Sequence, residues 1–596
     1  MAILHAKGLW IFWLLLCLCA VLVLVSVVSH GGHLHLSDYV KDSAGEFGDH
    51  HVEAVLEGML NNKMEKLKRE YDLKIQDAVR QAHKDSFKEF LRGAALQNPM
   101  PLSVQKEMQR VKSKLEACGH PRLAEMFART YMSTISTTVE LTNTGDTYVI
   151  TGDIEDEWIR DSSAQLYPYV TLARHDPHVQ LLFEGAIRQQ MFFLRSSPYA
   201  NAFNIKWKAN PTPWEKGLGR GGHVATYNYE LDSYAYFLRL SYMYWINSGA
   251  CQGIFDTGEW FNTLDLIVSV MITEQHHEQN STYRYRELPR DGLGSPVGYT
   301  GMTWTGYRPS DDRCIYHYLI PANAFAVVTL GYALEMLKKL ASLGVPKLDV
   351  IAMEHRIAKL RAEIDAGIHT YGVVHHPVHG QMYAYEVDGL GKHKLMDDAN
   401  VPSLLSLRYL NYSTSHDPEG KILRNTRRYV LSEENPYYFE GPIITGVGSP
   451  HTHHSANKKS GNVWPMSVAI QGMTTRNTTQ ALKLLKMLMW SDAGTGYMHE
   501  SVKNDEQRVF TRPWFAWANA LFAEFVLQRL DDICKAPPFG EEATNVPPET
   551  SRTYHKMPDM RQDFAAYPQP TPKQMPAPKP PPARPPKTAP VVPFKP

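Results

Sequence analysis

Apolar and polar positions divide the chain into four stretches of different periodicity. Residues 8–28, GLWIFWLLLCLCAVLVLVSVV, form an uncharged apolar run long enough to cross a bilayer as a helix. A cleaved secretory signal has a shorter apolar core and a small-residue cleavage site. Residues 1–29 therefore read as a cytoplasmic tip and a signal-anchor transmembrane helix. Residues 30–102 read as a linker and a helical stem. Within 50–96, Val52, Val55, Leu56, Met59, Leu60, Met64, Leu67 and Tyr71 recur at helical intervals among charged residues. From 103 to 536 apolar residues step by three or four in repeated blocks, at 179–195, 227–246, 258–275, 322–342, 350–369, 479–490 and 512–531. In the block after Pro321, Val327, Leu330, Leu334 and Leu337 fall on one face, which predicts burial of that face. Strand-like alternation is short, at 147–151 (TYVIT) and 381–387 (QMYAYEV). Many helices of similar length joined by long loops predict an all-α toroid rather than a bundle, because bundles favour short connections. Residues 537–596 end in KQMPAPKPPPARPPKTAPVVPFKP, a composition unable to bury enough apolar surface to order itself. They read as a disordered Pro-rich tail.

Charge changes the picture by exclusion. The 62 basic and 62 acidic side chains cancel, so nothing points to a nucleic-acid partner. Lys7 and the amino terminus precede the apolar run, and Asp38, Lys41 and Asp42 follow it. The positive-inside tendency then predicts a single-pass type II protein in a secretory-pathway membrane, Golgi or ER, with the globular part lumenal; the extracellular side stays open as an alternative. Acceptor patterns for N-linked glycans at Asn280, Asn411 and Asn477 agree with that side. Outside the apolar run lie Cys118, Cys251, Cys314 and Cys534, which admit three pairings or free thiols. Cys118 and Cys534 stand near the two ends of the globular part, so a bridge between them is one expectation. No Cys/His spacing suggests zinc, and no Gly-rich phosphate loop suggests a dinucleotide site.

Candidate chemistry centres on residues 299–323, YTGMTWTGYRPSDDRCIYHYLIPAN, where Trp304, Tyr307, Tyr316 and Tyr318 surround Asp311 and Asp312, with Arg308 upstream. Flat aromatic faces suit sugar rings, and a carboxyl group among them suits a proton donor; a charged turn between core segments is the competing reading. A second carboxylate, Glu500, lies in the Gly-rich loop GTGYMHES. Glycosidic hydrolysis needs one carboxylic acid and a second carboxylate on opposite sides of the ring, so the two loops form a candidate pair. In TGDIEDEWIRDSSAQ, Trp158, Arg160 and Asp161 stand at a loop-to-helix junction. Asp161 or Ser162 suits a helix cap there, while an adjacent Arg and Asp suit two neighbouring sugar hydroxyls. Glu230 and Asp232 read equally as buried structural acids, and Asp397, Asp398 and Asn400 as caps of a following helix. The histidines His451, His453 and His454 of PHTHHSAN lack a matching carboxylate at helical spacing, which disfavours a metal site. In FTRPWFAWAN, Trp514 and Trp517 read as core, and Arg512 as able to reach the site.

TGDIxxxWIRDSSAQ, YTGMTWTGYRPSDD, LIPANAFAVV, DDANVPSLLSL, GVGSPHT, DAGTGYMHES and FTRPWFAWAN, in this order over about residues 130–530, resemble glycoside hydrolase family 125, the exo-α-1,6-mannosidases, in a fungal-type membrane-anchored form. The resemblance implies an (α/α)6 toroid that removes a terminal α-1,6-linked mannose with inversion, without a metal or other cofactor. By matching positions, Asp311 is the expected general acid and Glu500 the expected general base. Arg160, Asp161 and Trp158 are expected in the sugar pocket, with Asp312, Trp304 and Arg308 as neighbours. An inverting pair stands about 6.5–9.5 Å apart and a retaining pair about 5 Å apart. Asp311 is expected to be protonated by burial and the neighbouring Asp312 charge while Glu500 is ionised. The family's GDIPAMW appears here as Gly152-Asp-Ile-Glu-Asp-Glu-Trp158, adding three acids beside the expected pocket. Two other readings stay open: a mannan-binding lectin, and a metal-dependent α-mannosidase of another helical-toroid class. The resemblance leaves the physiological glycan and the oligomeric state open.

Overall fold

A computed structural model describes residues 101–539 apart from 143, 250–252, 257, 343–348 and 453–459. The expected membrane span, stem and Pro-rich tail lie outside the described residues, as do Cys251, His453 and His454. Among the described residues there are twelve α-helices of eight residues or more, from Leu102–Ala117 to Ala516–Lys535, and the unit is mostly helical, consistent with an α/α toroid. Helix Ile320–Ser342 packs on Val350–Gly372 and on Asp232–Ser248, and Pro465–Thr474 packs on Thr478–Trp490. The last helix, Ala516–Lys535, returns to Pro121–Ser133 near the start of the unit. A Cys118–Cys534 disulfide fastens the same two ends, and Cys314 is a buried free thiol.

Burial explains which apolar blocks become which helices. Along Ile320–Ser342, Val327, Leu330 and Leu337 are buried as the spacing predicts, but so are Ala322, Ala324, Phe325 and Ala326. The helix is apolar nearly all round, the pattern of an element enclosed by others. It is the one described helix long and apolar enough to cross a membrane, and 78% of that window is buried inside the protein. Three boundaries differ from the sequence reading. The block at 227–246 becomes helical only at Asp232. The block at 512–531 becomes helical only at Ala516, because Phe510 and Thr511 pair as a strand and Arg512 takes a left-handed φ of 47°. The 381–387 run splits into Gly380–Tyr383 and Glu386–Val387, which join different sheets.

The β-structure is confined to short pieces between helices. One three-stranded antiparallel sheet pairs Glu157–Trp158 with Ala202–Lys208 and the latter with Gly222–Thr226. Another pairs Asn462–Val463 with Ser501–Lys503 and Ser501–Lys503 with Phe510–Thr511. The first sheet carries Trp158 and the second Phe510 and Thr511, all of which line the cavity described next.

Candidate functional site

Successive side chains of a strand point to opposite faces, and the two-residue strand Glu157–Trp158 uses both. Glu157 turns into the core, where the Val149 amide donates to its Oε2 at 3.1 Å; burial pushes its carboxyl up to about 8. Trp158 turns the other way, into the cavity. The helix Ile159–Leu166 starts immediately after it with no side-chain cap. Asp161 therefore sits buried inside the first turn, where a negative charge suits the helix dipole, and neither it nor Ser162 caps the helix. Arg160 is buried among acids: its guanidinium meets Glu230 at 2.5 Å, Asp232 at 3.4 Å and Asp161 at 3.4 Å. Burial raises the Asp161 carboxyl to about 6 against the opposing pull of Arg160 and Arg512. Burial also pushes Glu230 up, opposed by Arg160. Burying a cation calls for opposite charge beside it, and these carboxylates supply it.

Asp311 projects from a tight turn. The Asp311 amide donates to the Arg308 carbonyl at 2.9 Å and the Arg308 amide to the Asp312 carbonyl at 2.8 Å. This winding gives Asp311 a left-handed φ of 63°, a conformation sparse for non-glycine residues though easier for Asp. Both flanks hold it there. Arg308 Nε donates to Glu386 at 2.6 Å, while the other Glu386 oxygen accepts the Ile315 and Tyr316 amides at 3.0 Å each. Ser310 Oγ donates to Asp398 at 2.9 Å. Asp311 Oδ1 accepts from Trp158 Nε1 at 3.2 Å and from Asn201 Nδ2 at 3.1 Å, and an Arg160 nitrogen stands at 3.9 Å.

Glu500 precedes the strand Ser501–Lys503. Asn519 on the last helix pins the approach, accepting the Met498 amide and donating to the Met498 carbonyl, each at 3.0 Å. His499 packs away from the cavity, stacked on Phe510, and Glu500 points into it. Thr511 Oγ1 donates to Glu500 Oε2 at 2.9 Å, and Arg512 stands 3.8 Å from Oε1. Arg512 is itself gripped by Asp153, 2.8 Å from Nε.

Asp311 and Glu500 line one cavity of about 840 Å³, together with Trp158, Arg160 and Asp161. That volume lies within the range of small-ligand sites. Three expected neighbours do not line it. Trp304 is fully buried and stacked between His277 and His317, and Arg308 is buried in its pair with Glu386. Arg308 supports the Asp311 turn from behind, and neither side chain offers a surface to a sugar. Asp312 turns toward His451, 3.5 Å away. Of the three extra acids in the 152–158 segment none lines the cavity, and Glu157 faces the core.

Several cavity residues were given other roles by the sequence. His451 lines the wall. Burial would lower its imidazole, but the Asp312 contact and the charge of Glu500 raise it to about 9. Asn400 lines the cavity and bonds Asp398. Asp397 serves a run of turns instead of a helix, accepting the Leu404 and Leu405 amides. Trp517 is nearly enclosed yet reaches the cavity wall, and Arg512 does line it. Asn201 carried no motif signal; only its hydrogen bond to Asp311 reveals it. Among the described residues no group of His, Cys, Asp and Glu is arranged to hold a metal ion.

The family described as metal-independent alpha-mannosidase (GH125) matches residues 120–527. The meiotically up-regulated gene 157 protein of Schizosaccharomyces pombe is 38% identical over 464 residues, covering 72% of this chain and 86% of its own length. Among solved structures, a metal-independent α-mannosidase of Streptococcus pneumoniae, captured in a non-productive substrate complex with α-1,6-mannobiose, superposes with a TM-score of 0.66 at 37% identity. That match covers 72% of this chain and 99% of the other. With the match spanning nearly the whole described unit and the cavity lined by its motifs, the chain belongs to glycoside hydrolase family 125, the metal-independent α-mannosidases.

Proposed function

We propose that the chain is an exo-acting, inverting α-1,6-mannosidase in which Asp311 is the general acid and Glu500 the general base. The observation that carries this reading is the pair of carboxyl groups from distant parts of the chain projecting into one cavity. Each is held differently. Two N–H donors occupy Asp311 Oδ1, so that oxygen serves as acceptor and Oδ2 is left to carry the proton given to the departing glycosidic oxygen. Glu500, fixed through Thr511 and beside the Arg512 cation, takes the proton from the water that attacks the anomeric carbon from the opposite side. Arg160 and Asp161, nearly closed off from solvent, form a floor that offers donors and an acceptor to adjacent hydroxyls of a terminal mannose. A floor closed by the Arg160 network favours a chain end over an internal unit, which supports exo action. The α-1,6 preference draws on the mannobiose held by the pneumococcal relative. The physiological substrate on this reading is a mannose-containing glycan met on the lumenal side of a secretory membrane, with residues 8–28 as anchor.

Asp311→Asn and Glu500→Gln are each expected to lower kcat on an α-1,6-mannobioside by about 100-fold or more, with the thermal melt kept near that of the parent. Near-normal turnover in either variant would remove that residue from its role.

A further inference from the structure

The sheet that supplies Trp158 continues away from the cavity. Its middle strand, Ala202–Lys208, starts one residue after Asn201 and carries Trp207 near its far end. Trp207 is 67% exposed and Trp214, in the turn that follows, 53% exposed. Single exposed apolar side chains are ordinary, but these two are held in place. The Trp207 ring packs against Gly222, where an added Cβ would come within 3.0 Å of two ring carbons, and His223 meets it edge-on at 5.2 Å. Trp214 lies in the short helix Pro213–Gly217, fixed by a Thr212/Glu215 capping box. The guanidinium groups of Arg220 and Arg286 stand 5.2 and 5.7 Å from its ring centre. A Lys208–Glu215 ion pair at 2.5 Å ties the strand end to the Trp214 turn.

The exposed polar residues of the strand end and the following turn are Lys206, Lys208, Asn210, Thr212 and Lys216. A pyranose presents a C–H face that covers a flat ring and a rim of hydroxyls that bonds such polar groups. A lipid surface calls for aliphatic flanks, and these flanks are charged or hydrogen-bonding. Continuity with the candidate site fixes the scale. Six residues separate Asn201, which touches Asp311, from Trp207, a span of about 20 Å at roughly 3.3 Å per strand residue. A disaccharide seated in the cavity does not reach that far.

We propose that Trp207 and Trp214 form a second, non-catalytic glycan-binding platform that holds a remote segment of the same mannose-containing chain whose end enters the cavity. This rests on the mannosidase reading for the identity of the sugar. The platform makes long or branched glycans better ligands than the disaccharide, and it leaves the chemistry untouched.

The test compares the full-length Glu500→Gln chain in detergent with the same chain also carrying Trp207→Ala and Trp214→Ala, titrated with polymeric α-mannan. Loss of the rings is expected to weaken mannan binding about tenfold. Trp207→Phe with Trp214→Phe is expected to retain part of the affinity. In the otherwise native chain, the Ala pair should leave kcat/KM on α-1,6-mannobiose within about twofold and raise KM on mannan. Equal mannan affinity with and without the rings overturns the platform, whatever else the pair contacts, lipid included. Parallel loss on both substrates also overturns it. The binding arm does not depend on turnover, so it still reads the platform if mannobiose is never cleaved.

Discussion

Asn201 separates positioning of the acid from support of the fold. Its amide nitrogen donates to Asp311 Oδ1 at 3.1 Å, and its oxygen accepts from Thr226 Oγ1 at 2.5 Å and from the Asn228 amide at 3.3 Å. Asn201→Ala removes one of the two donors on Asp311. A hydrogen bond to a charged group is worth about 1.5–3 kcal/mol and a neutral one about 0.5–1.5 kcal/mol. On the general-acid reading Asp311 becomes charged only as it gives its proton away, so the difference, about 1–2 kcal/mol, falls on the transition state. The expected loss is therefore about 5- to 30-fold in kcat, with KM little changed. Stability also falls, by about 1–2 kcal/mol, because the Asn228 amide and the Thr226 hydroxyl lose their acceptor. Steady-state kinetics on α-1,6-mannobiose, together with thermal melts, read the two effects separately. A variant with lowered melting temperature but kcat within twofold of the parent would refute the argument and make Asn201 a structural residue only.

Two further predictions concern pH. His451 has its charged form favoured up to about 9 by Asp312 and Glu500, against an ordinary value of about 6.5. Its contribution to stability is fully present below about 6.5 and is lost as pH rises through about 9. His451→Gln should therefore flatten the fall in melting temperature across that window, and parallel curves for the two proteins would contradict the contact. Glu157 is buried with its carboxyl raised to about 8, so its stabilising protonated form is lost between about 4.5 and 8. Glu157→Gln should match the parent near pH 5 and exceed it near pH 9, by an amount on the order of a few kcal/mol; equal stability at both pH values would show that the carboxyl is solvated.

Much of the site was legible because its residues lie in long uninterrupted motifs. Trp158, Arg160 and Asp161 are adjacent in sequence and enter the cavity together. What the sequence could not convey is direction. An aromatic-rich loop looks like a sugar platform, yet Trp304 spends both faces on His277 and His317. The acid-rich GDIEDEW segment looks like a charged pocket wall, yet strand alternation sends Glu157 inward once Trp158 faces the cavity. Long-range partners were equally hidden: nothing in YNYELDSYAY shows that Glu230 and Asp232 hold Arg160, some 70 residues away. His451 was weighed as a metal ligand because it stands among histidines, whereas its nearest partner is the carboxylate of Asp312. For the helices, period and length were enough, and the starts drifted where a loop led in, as at 227–231, or where a strand and a left-handed residue intervened, as at Phe510–Arg512.

The account depends on an acid and a base acting from opposite sides of one sugar ring. Proton NMR of α-1,6-mannobiose hydrolysis reads this directly. β-Mannose appearing first, then mutarotating, is the predicted result; α-mannose appearing first, or binding with no release of mannose at all, would contradict it.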